Sequence, residues 1–412
     1  MPTHPYINVT EPPYRAAGNG KKDDTEAFQK ALGEAQKTGG VVVAPPGRYR
    51  IAGTLHIPSN VTLEGVFQAP PAAAGVPGKG TTLLAYAGRG NINGPPFITL
   101  DGPNSTLKGI AVFYPQQRAP EQSAEEIVPY PWSIADKRGG SNNAVIDVLL
   151  INSYQGVNFS NGSSRHLIQR LYGQPLFRGI QIDRCLDTGR IEDVHLWPFW
   201  LNWSKNEHIR EFMARNAIGL ILRRSDWQIV HNFFCFGYQI GVRFEKSDQR
   251  KLPRPMPNGQ FSNLNLDSVG IGLDVWALKS QGVQISNANI ALGPYWRNYD
   301  DRYAVWGRPQ QEGTLSIRGA SVWGNFDEVI RWESEGRLLV ASSVFDNWKK
   351  DNTAIRIAKG RAMVQGNCFT QEVGRSVTVE ATADAVTIVH NQLAGNPIED
   401  HGPNTLQAEN QL

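Results

Sequence analysis

The sequence has little cysteine and almost no net charge. Its three cysteines, Cys185, Cys235 and Cys368, are scattered over 412 residues. Each lies in or near an apolar run, which argues against a disulfide framework, a metal cluster or a nucleophile and for buried free thiols. Lys and Arg number 41 against 38 Asp and Glu, a formal charge of +3. That is too small to point to a nucleic-acid partner. No apolar run approaches the roughly 18 residues of a membrane span, so no membrane is expected. The start, Met1-Pro-Thr-His-Pro5, has no apolar signal region. The expected location is secreted or periplasmic with a leader removed, or else cytoplasmic. No Asp/Glu cluster has calcium-loop spacing, so no metal and no other cofactor is expected.

What the sequence does have is a repeat. Ile229-Val-His-Asn232-Phe-Phe234 carries an aliphatic residue, two free positions, a small or amide residue, one free position and another apolar residue. Similar stretches begin at Leu107, Ile168, Ile191, Leu264, Ile285, Ile317, Val340, Val364 and Ile388. From Ile168 onward they are spaced by 23, 38, 35, 21, 32, 23, 24 and 24 residues. A base period in the low twenties, lengthened by insertions, marks a repeat in which each unit buries its apolar face against its neighbours. A second apolar run accompanies the first, at Gln155–Phe159, Arg178–Ile182, Ile218–Leu222, Ile240–Phe244 and Gly270–Val275. Runs of four to six residues broken by Gly, Asn, Asp or Ser are strands, not helices. Three short strands per turn make a single-stranded right-handed parallel β-helix, an all-β solenoid. The Leu and Asn spacing of leucine-rich repeats is missing. Asn232, Asn367 and Asn391 share a register and are expected to stack as an amide ladder.

A solenoid lengthens without splitting, so residues 1–412 are expected to form one domain. Residues 18–40 hold a capping helix, about 41–395 hold the rungs, and 396–412 form a tail. In the cap, Asp24 or Thr25 can start a helix whose apolar face is Ala27, Phe28, Ala31, Leu32 and Ala35. Gly39-Gly40 ends it. The order Gly18-Asn-Gly, Asp23-Asp-Thr, amphipathic helix, Gly39-Gly-Val-Val, Pro45-Pro-Gly-Arg-Tyr49, Val61-Thr-Leu-Glu-Gly65 resembles the N-terminal signature of the pectate-lyase-like β-helix superfamily. That superfamily includes pectate and pectin lyases, polygalacturonases and related glycoside hydrolases, alginate-modifying enzymes and phage tailspike depolymerases. The resemblance implies the fold and a carbohydrate-directed role, but the signature is capping chemistry and supplies no catalytic centre. The subfamily motifs depart from the pattern. Polygalacturonase-like Asn-Thr-Asp and Gly-His-Gly are absent and the only Asp-Asp of the rung region, Asp300-Asp301, lies in an insertion. The pectate lyase Trp-Ile-Asp-His and the epimerase Asp-Pro-His-Asp are also missing.

Insertions at one turn of successive rungs stack into a wall beside a groove. Four run from Tyr114 to about Asn142, Trp197 to Arg215, Ser247 to Gln260 and Gly293 to Gly313. The first, second and fourth follow the six-residue motif and should leave the coil on one side. They are rich in aromatics, whose faces match the C–H faces of sugars but also pack loops. Trp132, Trp200, Trp203, Tyr295 and Trp296 are candidate substrate-binding residues, with Arg223, His231 and Arg297 for hydroxyl or uronate groups. Glycoside hydrolysis takes two carboxylates, ~5–5.5 Å apart for retention or ~6.5–9.5 Å for inversion. Asp183, Glu207, Asp300 and Asp301 are the candidates, although a lone surface acid is more often a solvated charge or a turn cap. The expected activity is glycoside hydrolysis of a polysaccharide or oligosaccharide by paired carboxylates. The alternatives are β-elimination from a uronic-acid polymer, and glycan binding or a structural role without catalysis. The expected assembly is a monomer or a homotrimer.

Overall fold

The computed structural model describes residues 6–71, 75–137, 139–199, 205–248, 255–296, 299–309 and 312–412. Contacts divide the chain into two compact units, Met1–Ala217 and Ile218–Leu412. Each unit is built of parallel strands in two sheets, as the period predicted, and the architecture is a right-handed parallel β-helix.

In the first unit the capping helix α1 spans Thr25–Ala35 and buries Phe28, Ala31, Leu32 and Ala35 against the strands Gly40–Ala44, Leu55–Ile57 and Val61–Gly65. Asp24 holds the N-cap position, but its side chain makes no capping hydrogen bond. Its carboxylate instead accepts from the amides of Ala17 at 2.6 Å and Gly18 at 3.1 Å, tying down the Gly-Asn-Gly loop. The flat sheet of this unit runs Leu55–Ile57, Ile98–Leu100, Trp132–Asp136, Gln155–Phe159 and Arg178–Ile182.

The other sheet is kinked, and the kink explains the six-residue motif. In the first unit Asp147, Arg170 and Asp193 lie side by side with φ of 54°, 50° and 54°. In the second unit the row is Asn232, Asn263, Asn287, Gly319, Ser342, Gly366 and His390, with φ between 52° and 63°. A left-handed residue at each rung turns the strand once, and Asn, Asp or Gly adopts it at least cost. The aliphatic residue two places earlier points inward. Leu107, Val145, Ile168 and Ile191 are fully buried in the first unit. Val230, Phe261, Ile285, Ile317, Val340, Val364 and Ile388 form the matching row in the second. Each such side chain contributes about 1.5–3 kcal/mol of burial.

These rows correct the repeat in detail. The copies begin at Val230 and Phe261, not Ile229 and Leu264, because the aliphatic residue stands two before the kink. Asn232 belongs to the kink row, whereas Asn367 and Asn391 follow it by one residue. The amide ladder is Asn367, Asn391 and Asn410: Asn391 Oδ1 accepts from Asn367 N and Nδ2, both at 3.0 Å, and Asn391 Nδ2 donates to Asn410 Oδ1 at 2.9 Å. The coil also continues past residue 395, with strands Ile398–Asp400 and Thr405–Ala408 each paired in parallel to the rung before.

Candidate functional site

The flat sheet of the second unit runs Ile218–Leu222, Ile240–Phe244, Ile271–Val275, Tyr303–Gly307, Glu328–Trp332, Thr353–Ile357 and Arg375–Val379. In each strand the third residue faces the core: Leu220, Val242, Leu273, Val305, Ile330, Ile355 and Val377 are at most 2% exposed. The fourth residue faces out, since side chains alternate along a strand. That outer row reads Ile221, Arg243, Asp274, Trp306, Arg331, Arg356 and Thr378. Charge and aromatic area are thus brought to one face by register alone.

Asp274 organises the middle of the row. Its carboxylate is fully buried and takes Arg243 Nε on Oδ2 at 2.8 Å and Arg308 Nε on Oδ1 at 2.7 Å. Trp276 Nε1 donates to Oδ2 at 2.9 Å. Arg308 lies over two indoles, 3.2 Å from the Trp306 ring centre and 4.7 Å from that of Trp276. Trp276 remains 48% exposed, so the stack presents a flat aromatic surface to solvent. Gly307 admits the Trp332 ring to the core beneath, because a Cβ there would meet that ring at 2.3 Å.

Next along the row is a cluster of carboxyls around Tyr303 and Arg331. Arg331 Nη1 donates to the Tyr303 hydroxyl at 2.9 Å, while its Nε and Nη2 donate to Glu333 Oε1 at 3.0 and 2.9 Å. Trp306 Nε1 donates to Glu333 Oε2 at 2.9 Å. Burial alone would raise the Glu333 pKa, but these hydrogen bonds from Arg331 and Trp306 bring it below the usual value. Glu328, in register with Tyr303, is the opposite case. It is 7% exposed, its Oε2 has no hydrogen-bond partner among the described residues, and burial raises its pKa against the pull of Arg331 and Arg356. Two carboxyls of opposite protonation tendency therefore flank one guanidinium. The Tyr303 hydroxyl is itself pushed up by burial, with the charges of Glu328 and Asp301 adding to the effect.

The residues read from the sequence are placed as follows. Asp301 is exposed, in the left-handed conformation, two residues before Tyr303, and is brought to this cluster with Asp300 beside it. Arg223, also in the second unit, is paired with Glu245 at 2.7 Å and with Asp248. His231 lies on the kinked sheet, with Nδ1 2.8 Å from Ser262 Oγ, away from the flat face. Tyr295 is 43% exposed, whereas Trp296 is 2% exposed and donates from Nε1 to Ser268 O at 2.6 Å. The Trp296 ring therefore packs the loop and presents no face to a ligand. Trp200, Trp203 and Arg297 lie outside the described residues.

In the first unit, Asp183 is 3% exposed at the end of the strand Arg178–Ile182, and its Oδ1 accepts from Arg184 N at 2.8 Å. Glu207 is exposed in the first turn of helix α2, Glu207–Asn216, where its charge complements the helix dipole. Asn206 caps that helix through Ile209 N at 3.0 Å and reaches the first insertion through Pro120 O at 2.8 Å. Trp132 is half-buried and opens the flat-sheet strand Trp132–Asp136, so the first insertion ends before it. The fourth likewise ends before the strand Tyr303–Gly307. Asp274, Trp276, Arg308, Glu328, Arg331 and Glu333 were missed because they sit on regular rungs. The available signal was positional: Asp274 and Arg331 stand fourth in their strands, Glu328 stands first, and Trp276, Arg308 and Glu333 directly follow a strand end.

The cysteines are free, with Cys185 and Cys235 buried and Cys368 partly so. Among the described residues no group of three or more His, Cys, Asp and Glu is placed to hold a metal, and no helix is long and apolar enough to cross a membrane.

A sequence model of the family described as "Rhamnogalacturonase A/epimerase, pectate lyase-like" matches residues 6–167. No curated protein matches the chain in sequence. Among solved structures, the surface adhesin PfbA of Streptococcus pneumoniae is 13% identical with a TM-score of 0.57, over 97% of this chain and 91% of its own. The DFA-IIIase of Arthrobacter chlorophenolicus A6 is 13% identical with a TM-score of 0.56, over 94% of both chains. The pre-mature gene product 12 of bacteriophage phi29 is 11% identical with a TM-score of 0.59, over 96% of this chain and 56% of its own. At these identities the likeness is one of fold. Fold and family match together bear out the resemblance read from residues 18–65: the chain is a parallel β-helix whose residues 6–167 are similar to the pectate-lyase-like rhamnogalacturonase A/epimerase family.

Proposed function

We propose that the protein is a carbohydrate-active enzyme, a glycoside hydrolase that cleaves a polysaccharide or oligosaccharide on the flat-sheet face of the second unit. The observation that carries this reading is Glu328, a buried carboxyl held toward its protonated form, with one oxygen unpartnered among the described residues, beside a guanidinium and next to Tyr303, on which the charges of both Glu328 and Asp301 act. A neutral carboxyl can protonate the leaving glycosidic oxygen, and an exposed carboxylate can act as base or nucleophile. In this assignment Glu328 is the acid and Asp301 the partner carboxylate. Trp276 and Trp306 offer the sugar platform, and Glu333 holds Arg331 and Trp306 in place. The family match, whose description names a rhamnogalacturonase and an epimerase, supports a glycan substrate.

The experiment is turnover on a glycan panel by the wild type and by Glu328→Gln, Asp301→Asn, Asp300→Asn, Asp183→Asn and Glu207→Gln. Reducing-end formation should fall at least ~100-fold in the first two variants. Full activity in both would overturn the site. Loss in Asp183→Asn or Glu207→Gln alone would move the chemistry to the first unit.

The Arg331–Tyr303 hydrogen bond favours a second reading, β-elimination from a uronide. There Tyr303, as a phenolate that has lost its proton to solvent and is stabilised by Arg331, would abstract the proton α to a carboxylate that arginine neutralises, while Glu328 protonates the departing glycosidic oxygen as the double bond forms. The raised Tyr303 pKa works against this reading. Unsaturated products absorb in the near ultraviolet and hydrolytic products do not, so one spectrum separates the two. Glycan binding without turnover by any substrate of the panel would leave a binding protein.

A further inference from the structure

The kinked sheet of the second unit carries a second feature, independent of the carboxyl cluster. An open groove of about 610 Å³ crosses its outer face. One row of its floor is Ile229, Gln260, Gln284, Ser316 and Leu339, on five successive strands in register. The neighbouring row, two residues along each strand, is Ser262, Ser286 and Arg318. At a strand spacing of about 4.8 Å the groove runs for roughly 19 Å. Its lining is hydroxyls, amides and aliphatic edges, with Arg318 the single charge.

The state of those groups is informative. On the flat sheet, Arg243, Arg308 and Arg331 are each paired with a carboxylate. Among the described residues Arg318 has no ion pair or hydrogen bond, and neither do the side chains of Gln260, Gln284 and Ser316. A guanidinium with its donor fork open, beside the free Ser316 hydroxyl and the free amides of Gln260 and Gln284 in an open channel, matches a chain that carries both hydroxyls and a carboxylate, although Ser262 and Ser286 are already bonded to His231 and Phe261 O. A neutral glycan would leave the one strong donor without a partner. A protein surface would normally bring exposed aromatic or aliphatic area, which this lining offers at Ile229 and Leu339, while its Phe261, Val283 and Ile285 are buried.

We propose that this groove is a second carbohydrate-binding site, which takes a segment of an acidic polysaccharide with a uronate carboxylate on Arg318 and ring hydroxyls on Gln260, Gln284, Ser286 and Ser316. It would hold polymer near the enzyme without taking part in bond cleavage.

The test uses the full chain carrying Glu328→Gln, to prevent turnover. Affinity electrophoresis compares polygalacturonate, alginate and hyaluronan with their carboxyl-reduced neutral forms. Expected are binding of at least one acidic polymer, loss of that binding on carboxyl reduction, and a drop of about tenfold in Arg318→Gln and in Gln260→Ala/Gln284→Ala. Added salt should weaken the interaction. Unchanged binding in Arg318→Gln would overturn the proposal, as would equal binding of the neutral forms, no binding at all, or sedimentation showing that the groove variants dissolve a dimer. In the otherwise wild-type chain, Arg318→Gln should leave turnover of a short oligosaccharide unchanged. That separates failure of this site from failure of the carboxyl assignment.

Discussion

Arg331 and Tyr303 lie on adjacent strands of the flat sheet and are joined by an Nη1–hydroxyl hydrogen bond of 2.9 Å. The same guanidinium is committed to Glu333 through its other two nitrogens. Three geometric demands thus meet in one planar fork, which lysine cannot satisfy. Arg331→Lys should lower kcat/KM on the cleaved glycan about 10–100-fold, the size of one or two charged hydrogen bonds. Steady-state kinetics would check this, with circular dichroism confirming that the rungs remain.

Removing the Asp274 carboxylate should be costly. Asp274→Asn would leave Arg243 and Arg308 short of a counter-charge at a fully buried point. Breaking a buried pair in this way costs about 3–5 kcal/mol. Chemical denaturation followed by intrinsic fluorescence should show that loss in the second unit. Trp276→Ala, at a half-exposed position, should leave stability nearly unchanged and raise KM instead.

The amide ladder makes a simpler claim. Asn391 is 1% exposed and is bonded to Asn367, Asn410 and Val364 O. Asn391→Ala would orphan buried donors on both sides, at about 1–3 kcal/mol for each unsatisfied group. Thermal unfolding measures it, and a change within error would mean that the ladder contributes no net stability.

Two buried groups of the first unit should pull stability in opposite directions with pH. Burial raises Asp136 to about 7, against hydrogen bonds from Ser160, Asn161 and the charge of Arg184. Its folded pKa exceeds the unfolded one, so stability falls as pH rises from about 4 to about 7. Burial lowers His166 to about 4. Its folded pKa is depressed, so stability falls as pH drops from about 6.5 to about 4. Between those limits the two slopes oppose. His166→Phe, which keeps a ring against Phe159, should leave the Asp136 slope exposed, with the folded state less stable at pH ~6.5 than at pH ~4.5. Denaturant titrations at both pH values would show it, and an unchanged slope would contradict the assignment.

Activity should be lost on the alkaline side as Glu328 gives up its proton. Its pKa is raised by burial, so the active form is the one below that pKa. The alkaline limb of the kcat/KM profile should vanish or move in whatever residual activity Glu328→Gln retains.

Much of the fold was legible along the chain. The period, the second apolar runs and the apolar face of α1 are local patterns, and burial follows from them because side chains alternate on a strand and recur on a helix face. Even the kink could be read, since Asn, Asp and Gly recur where a left-handed residue is needed. The errors were errors of register. Reading Ile229 in place of Val230 shifts a rung by one residue, and a shift of one residue exchanges the inward and outward faces. Treating the strand Tyr303–Gly307 as insertion hid Trp306 from the row that contains Asp274 and Arg331.

Of the proposed site, sequence reading named only Asp301. Sequence by itself determined that the chain winds into parallel rungs capped by a helix, because that outcome depends on periodic burial repeated many times. Which outward side chains meet was decided only by the tertiary structure. Asp274 and Trp306, and Trp306 and Arg331, are each a whole turn of coil apart along the chain yet sit on neighbouring strands. That adjacency depends on insertion lengths and strand starts, which no local pattern specifies to the residue.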